Sequence, residues 1–180
     1  MTISIRPAGL DDLDDITGIY NEAILTTDAT FDTGPKTLAQ QKVWFENHGP
    51  RNPILVAELD TAVVGWASLS EWSPRRAYSD TAEVSLYIKE EFRSRGIGKK
   101  LLETIIREGE RVGLHTVIAR ITTTNKQSIR LHKQVGFEHI GIMREVGQKF
   151  GRLLDVCLMQ RIYHSNVPAS SDETHQPSTT

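Results

Sequence analysis

Thr81-Ala82-Glu83-Val84-Ser85-Leu86-Tyr87-Ile88, with Arg93-Ser94-Arg95-Gly96-Ile97-Gly98-Lys99 close behind it, decides how this chain is read. Residues 82, 84, 86 and 88 are Ala, Val, Leu and Ile, one wholly apolar face of a strand. The opposite face carries Glu83, Ser85 and Tyr87. After the glycines, Gly98–Val112 reads as a helix with Leu101, Leu102, Ile105, Ile106 and Val112 inward and Gly113 as its stop. A strand, a glycine turn and a helix in that order put unpaired backbone N–H groups and the positive end of a helix dipole at the turn. Such a terminus suits a phosphate or pyrophosphate, and glycine lets the ligand approach the backbone closely. Arg93, Arg95 and Lys99 add mobile positive charge. The plain alternative is a turn that only starts a helix, and two glycines alone do not decide between them.

Spacing removes two well-known phosphate motifs. The dinucleotide fingerprint needs a third glycine three residues after Gly98, where the chain has Leu101. The nucleoside-triphosphate loop needs a glycine at Arg93, and Ser or Thr at Lys100. What remains is Arg-x-x-Gly-x-Gly at Arg93, Gly96 and Gly98.

Working outward, Ile3 and Ile5 alternate with polar neighbours as in a short strand. Leu13, Ile16, Ile19, Tyr20, Ala23 and Ile24 recur at helical spacing, with Asp11 and Asp12 at the positive end of the dipole. Residues 27–36 read as a loop, and Thr37-x-x-Gln40 as a capping box opening a helix to about Asn47. Ile54–Leu59 and Val63–Leu69 form a hairpin around Asp60-Thr61-Ala62, and 70–80 a polar loop. Thr116–Ile121 reads as a strand, Lys126–Val135 as a helix, and 137–146 and 153–162 as two last strands. The fold class is therefore α+β (mixed α/β): a mixed sheet with helices on its faces, neither doubly wound nor a bundle.

With 180 residues, the chain is sized for one domain with its own core. The domain is expected over 1–163. The stretch 164–180, rich in Ser, Thr, Pro and acids, cannot bury enough apolar area to offset its ordering entropy, so a disordered tail is expected there. A net charge of -2 demotes general nucleic-acid binding. One cysteine, Cys157, excludes an internal disulfide and a multi-cysteine zinc site, and it reads as core. No apolar run approaches the ~18 residues of a membrane span, and Met1–Arg6 shows no secretory pattern, so no membrane partner and a cytoplasmic location are expected. His48, His115, His139, His164 and His175 show no metal spacing, and no metal is expected.

On Arg93-x-x-Gly96-x-Gly98 the chain resembles the GNAT superfamily of acetyl-CoA-dependent N-acetyltransferases, whose central sheet is mixed and largely antiparallel. The resemblance runs to about residue 163 in element order. Thr81–Ile88 is similar to the family's strand before the pyrophosphate loop. Asn125-x-x-Ser128, Leu131-His132 and Gly136-Phe137 are similar to its second cofactor segment. Within the family, Arg75-Arg76-Ala77-Tyr78, Thr81-Ala82-Glu83 and Arg130-Leu131-His132 resemble the phosphinothricin and methionine sulfoximine acetyltransferase branch. Met143-Arg144-Glu145-Val146-Gly147, Gly151 and Asp155 also fit that branch.

The resemblance implies direct attack of an amine on the thioester of acetyl-CoA, the cosubstrate. Backbone groups of Leu86, Tyr87 and Ile88 would hold the pantetheine arm, and amides from Ser94 through Arg95, Gly96, Ile97 and Gly98 to Lys99 the pyrophosphate. Asn125 and Ser128 would touch the cofactor, though either also suits a helix cap. Glu83 becomes the general base; partial burial on a covered sheet would raise its pKa usefully, whereas a wet face would leave it merely exposed. His132 stands where the family often has Tyr as thiolate acid, and its roles stay open: thiolate acid, proton shuttle or positioning. Arg75 and Arg76 suit a substrate carboxylate or a solvated turn, and Tyr78, Phe31 and Trp72 a pocket wall. The implied reaction acetylates the α-amine of methionine sulfoximine, methionine sulfone or phosphinothricin. The rivals are a protein N-terminus or another amine such as an aminoglycoside, and a non-catalytic acyl-CoA sensor. A homodimer through the last strands is also implied.

Overall fold

The computed structural model describes residues 3–164, so all of the expected tail but His164 lies outside the described residues. The elements in order are β1 (Ile3–Pro7), α1 (Leu13–Thr26), α2 (Leu38–Glu46), β2 (Ile54–Leu59), β3 (Ala62–Glu71) and β4 (Thr81–Ile88). Then come α3 (Ile97–Arg111), β5 (Thr116–Thr122), α4 (Lys126–Gln134), β6 (Glu138–Lys149) and β7 (Arg152–Ile162). The strands form one seven-stranded sheet in the order β1-β2-β3-β4-β5-β7-β6. Every neighbouring pair is antiparallel except β4 and β5. The mixed sheet read from the sequence, and the largely antiparallel pairing that the resemblance implies, are both observed.

The parallel pair makes the site. β4 meets β5 only at Thr81↔Thr116, Ala82↔Val117 and Glu83↔Ile118. β4 then runs on to Ile88 paired with β3 alone, and β5 to Thr122 paired with β7 alone. The two strands part after Glu83, and the β5 side of Val84–Ile88 is left without a strand partner among the described residues.

The two sheet faces are covered by different helices. α3 buries Ile97, Leu101, Leu102, Ile105 and Ile106 against Leu55, Val64, Leu69, Ala82 and Val84. Its inward residues recur at three- and four-residue steps, so a single stripe of the helix does this work. A fully buried Leu contributes roughly 1.5–3 kcal/mol by area, and Leu101→Ala would cost about 2–5 kcal/mol with its cavity. On the other face α1 places Ile16 and Ile19 against Val56, Val63 and Trp66, with Trp44 and Phe45 of α2 beside them. Tyr20 meets Trp66 and Tyr87 edge-wise and Trp66 meets Trp44 in the same way, so these rings pack together over this face.

Local chemistry accounts for the element ends. Thr37 and Gln40 close a reciprocal capping box at the start of α2. Asp12 does more than face a helix dipole: it is buried and takes two bonds from Arg6, at 2.7 and 2.8 Å. Several boundaries shift from the sequence reading. α3 begins at Ile97, one residue early, because Gly96 is its N-cap. β3 extends through Ser70 and Glu71, and Arg76–Tyr78 form a 3-10 turn inside the expected polar loop. β6 runs to Lys149 instead of 146, across a register shift between Met143 and Gly147. There Glu145 adopts φ +49°, and its N–H donates to Asp155 Oδ1 at 2.8 Å. A bulge held this way breaks the two-residue alternation that marks a strand in sequence. Among the described residues no helix is long and apolar enough to cross a membrane.

Candidate active site

The glycine turn opens α3 with free backbone N–H groups, the geometry the sequence reading expects there. Gly96 sits at φ +80° and Ser94 at φ +62°, two left-handed residues that fold the chain sharply into α3. The first backbone bond of the helix is Lys100 N–H to Gly96 O at 3.2 Å. The N–H groups of Ile97, Gly98 and Lys99 therefore have no intrahelical acceptor. Gly98 is different from Gly96: a β-carbon there would meet Leu131 at 3.6 Å and Ile88 and Leu86 at 3.9 Å, ordinary contacts. The flanking cations are partly occupied. Arg93 turns back, with Nε on Ile88 O at 3.0 Å and Nη2 near Glu22 at 3.5 Å. Arg95 lies over the Phe92 ring, and Lys99 stands 3.9 Å from Glu103 in an exposed pair that contributes little.

Beside this turn, a cleft of about 520 Å³ opens where β4 and β5 part. β4 lines it with Glu83, Ser85, Leu86 and Tyr87, and β5 with Arg120 and Thr122. α4 contributes Ser128 and His132, and the 27–36 loop Asp28, Phe31 and Asp32. Glu83 is paired side-on with Arg120: Nε donates to Oε1 at 2.6 Å and Nη2 to Oε2 at 2.7 Å. The Glu83 side chain is 21% exposed, so it is neither sealed in an apolar pocket nor loose in water. The expected partial burial is present, and a cation comes with it. Arg120 in turn stacks over Trp72, at 5.6 Å, and its own pKa is raised by the Glu83 carboxylate.

His132 is 4% exposed, its ring edge-on to Phe137. Its Nδ1 lies 2.8 Å from the Ser128 carbonyl. A carbonyl only accepts, so Nδ1 carries the hydrogen and Nε2 of the neutral ring is a lone-pair acceptor. Burial pushes the His132 pKa down, with the Ser128 bond opposing it. Asn125 caps α4, its Oδ1 accepting from Ser128 N–H at 3.0 Å. Around the other rim, Lys149 Nζ donates to Thr30 O at 2.7 Å and ties the 27–36 loop to β6. Burial lowers the Lys149 pKa, with Asp28 and Asp32 opposing. Phe31 leans on Gly147, where any β-carbon would run into its ring. Tyr87 is pushed up to about 12, chiefly by burial, and stays a neutral phenol. Cys157 is buried and free, as core.

The cleft therefore gathers Glu83, His132, Leu86, Tyr87, Asn125, Ser128 and Phe31 from distant parts of the chain. Ile88 and the 93–99 turn lie next to it. Arg75, Arg76 and Tyr78 are exposed, on a turn that does not line the cleft. Sequence reasoning missed Arg120. The signal was there: it is the one charged residue of Thr116–Thr122, on a strand whose neighbours are otherwise buried.

Comparison with known proteins assigns the class. Residues 16–137 match the Acetyltransferase (GNAT) family, and the chain belongs to that family. It is similar to an L-methionine sulfoximine/L-methionine sulfone acetyltransferase of Pseudomonas aeruginosa, 42% identical over 163 residues, covering 89% of this chain and 94% of that protein. Among solved structures it is similar to a phosphinothricin acetyltransferase of Sinorhizobium meliloti in complex with acetyl-CoA, with TM-score 0.89 and 36% identity over 95% of each chain. It is also similar to a ribosomal-protein-alanine N-acetyltransferase of Brucella melitensis, with TM-score 0.86 and 38% identity over 89% of this chain and 99% of that one.

Proposed function

We propose that this chain transfers an acetyl group from acetyl-CoA to the α-amine of a small amino acid of the methionine sulfoximine, methionine sulfone or phosphinothricin type. The observation that carries this is the wedge where β4 leaves β5, with a carboxylate at its apex and a glycine-turned helix N-terminus at its mouth. That wedge fits acetyl-CoA. Val84–Ile88 offer unpaired backbone to an extended pantetheine amide, and the N–H groups at Ser94–Lys99 suit the pyrophosphate. When bound, acetyl-CoA supplies the activated acyl thioester. The protein's own part is small: hold the amine, remove its proton and shape the water-poor end of the cleft.

Glu83 is the proton acceptor in this reading. Each of its oxygens takes one Arg120 hydrogen and keeps a lone pair for the substrate ammonium. His132 is assigned as an acceptor that positions groups or relays a proton, not as the thiolate acid, because its neutral ring holds its one hydrogen on the Ser128 carbonyl. Asn125 and Ser128 are built into the α4 cap and orient His132, so their part at the cofactor is indirect. Phe31 forms the wall on the amine side. Arg75, Arg76 and Tyr78 reach a substrate only by leaving their exposed turn or across a subunit boundary. The homodimer fits the long apolar edge: Ile140, Ile142 and Val146 on β6, with Phe150 and Leu153 beside them, are about half exposed. Light scattering of the wild type and of Ile142→Glu tests it; a monomer in both would refute it. Since acetyl-CoA is drawn from the cytoplasm, the reading places the enzyme there.

A second reading, acetylation of a protein N-terminal alanine, is favoured by the likeness to the Brucella melitensis protein. One panel separates the two: thiol release from acetyl-CoA with methionine sulfoximine, phosphinothricin, methionine, an alanine-terminated peptide and no amine. Release with the sulfoximine or phosphinothricin alone is the expected result. Release with the peptide alone would transfer the assignment to the second reading, and acetyl-CoA binding without release to any amine would point to a sensor.

A further inference from the structure

We infer that Ser70, its hydroxyl hydrogen held by His48, is a second acceptor for the substrate ammonium beside Glu83, and that His48 is the positioning residue behind it. This deepens the function proposed above and rests on it. His48 stands two residues beyond α2, at the helix end where backbone carbonyls lack intrahelical partners. Its Nδ1 lies 2.8 Å from the Trp44 carbonyl, four residues back. A carbonyl only accepts, so Nδ1 carries the ring hydrogen. Burial lowers the His48 pKa and favours the neutral ring. Nε2 is then a lone-pair acceptor, and the group 3.0 Å from it is the Ser70 hydroxyl. Ser70 Oγ–H donates to Nε2. The oxygen keeps its two lone pairs and has no hydrogen left to offer.

Position decides what that oxygen can do. Ser70 lines the cleft and is the cross-strand partner of Glu83 in the β3–β4 register. Side chains of directly opposed residues leave the same face of a sheet, with β-carbons about 4.5–5.5 Å apart. Beside the carboxylate, the cleft therefore carries an oxygen that can only accept. An ammonium has three hydrogens and no lone pair, so it can place one hydrogen on Glu83 and a second on Ser70. A freely turning hydroxyl would have to be ordered on binding; His48 orders this one beforehand. Two other hydroxyls of the lining each lack one condition. Ser85 shares the face of Glu83 on β4, but among the described residues no acceptor fixes its hydrogen. Thr122 donates to Asp28 at 3.3 Å, but stands four residues beyond Ile118, the β5 partner of Glu83.

The alternative is a histidine that only caps α2, and substrate chemistry separates the two. The experiment measures KM for methionine sulfone, KM for acetyl-CoA, and the inhibition constant of the same acid lacking its amine. The proteins are the wild type, Ser70→Ala, His48→Phe, His48→Gln and the double variant Ser70→Ala/His48→Phe, with melting temperatures to confirm folding. In Ser70→Ala, KM for methionine sulfone is expected to rise about 10- to 100-fold, the range of a hydrogen bond to a charged group. The inhibition constant of the amine-free acid and KM for acetyl-CoA stay within about 2-fold, since neither molecule brings an ammonium to Ser70. His48→Phe keeps a ring against Trp44 but frees the hydroxyl, and raises the amine KM by a smaller, several-fold amount. His48→Gln restores an acceptor and recovers most of that loss. The double variant is no worse than Ser70→Ala, because His48 acts through that hydroxyl. An unchanged amine KM in Ser70→Ala, an equal loss for the amine-free acid, or additive losses in the double variant overturns this inference and leaves the proposed function standing. No turnover of methionine sulfone by the wild type overturns both.

Discussion

Gly98→Ala separates what the fold asks of the glycine turn from what a ligand asks of it. Gly98 is the second residue of α3, and its φ lies outside the left-handed range. An added β-carbon meets only Leu131 at 3.6 Å and Ile88 and Leu86 at 3.9 Å. The folded protein accepts it without displacement. Glycine in a helix is less favourable than alanine by up to about 1 kcal/mol, and less at the first turn. For a chain of this size that corresponds to a melting temperature unchanged or raised by roughly 1–3 °C. The same methyl group stands at the helix N-terminus, where a pyrophosphate must come to hydrogen-bond distance of backbone N–H. Acetyl-CoA affinity, measured by calorimetric titration, should fall at least ~10-fold, equivalent to 1.4 kcal/mol. Stability gained while affinity is lost marks a residue kept for the ligand. Unchanged affinity would refute the placement of the pyrophosphate, and a clear loss of stability would refute the reading of the space. Gly96→Ala is the control: at φ +80° the strain falls on the fold itself, about 1–2 kcal/mol.

Other outcomes follow from the same structure. Gly147→Ala should displace the Phe31 ring, which at 38% exposure has water to move into. The expected effect is a several-fold rise in KM for the amine with KM for acetyl-CoA and the melting temperature nearly unchanged; an unmoved amine KM removes Phe31 from the substrate wall. Burial lowers the pKa of both His132 and His48, so below about 6.5 the unfolded chain binds protons that the native one refuses. Stability should therefore fall as pH drops below 6.5, by at most about 1.4 kcal/mol per pH unit for each histidine, and His132→Gln should flatten that slope in urea titrations. Asp12 and Asp32 are shifted downward, Asp12 mainly by its Arg6 bond and Asp32 by its hydrogen bonds from Tyr20 and Lys36, which outweigh burial. Their contribution is full above the ordinary carboxylate range and is lost as pH falls from that range through their lowered native values, a separate acid limb that His132→Gln leaves in place.

How much could be read in advance depended on whether the signal was local. Gly96 announces itself because its left-handed φ of +80° suits few residue types. The apolar face of Thr81–Ile88 does so through strict alternation, and the Thr37–Gln40 box through its fixed spacing. β6 was cut short because Glu145 bulges, and a bulge erases alternation without ending the strand. Arg120 was missed for a deeper reason. Its meaning comes from register: Glu83 opposite Ile118, two residues before Arg120 on a parallel neighbour, is a tertiary fact. Arg75 and Arg76 show the limit of proximity in sequence: a charged pair close to the Glu83 strand does not line the cleft formed by its own chain. The His132 tautomer, too, needed the 2.8 Å contact to a carbonyl that no residue pattern encodes.

The most direct test of the account is a single-turnover experiment with methionine sulfone, at saturating acetyl-CoA, comparing the wild type with Glu83→Gln. The amide keeps the shape and loses the proton acceptor. The account predicts rapid N-acetylation by the wild type, a rate lower by about 100-fold or more in Glu83→Gln, and equal acetyl-CoA affinity in both. Equal single-turnover rates at neutral pH would contradict it, and Glu83 would then be only a partner for Arg120.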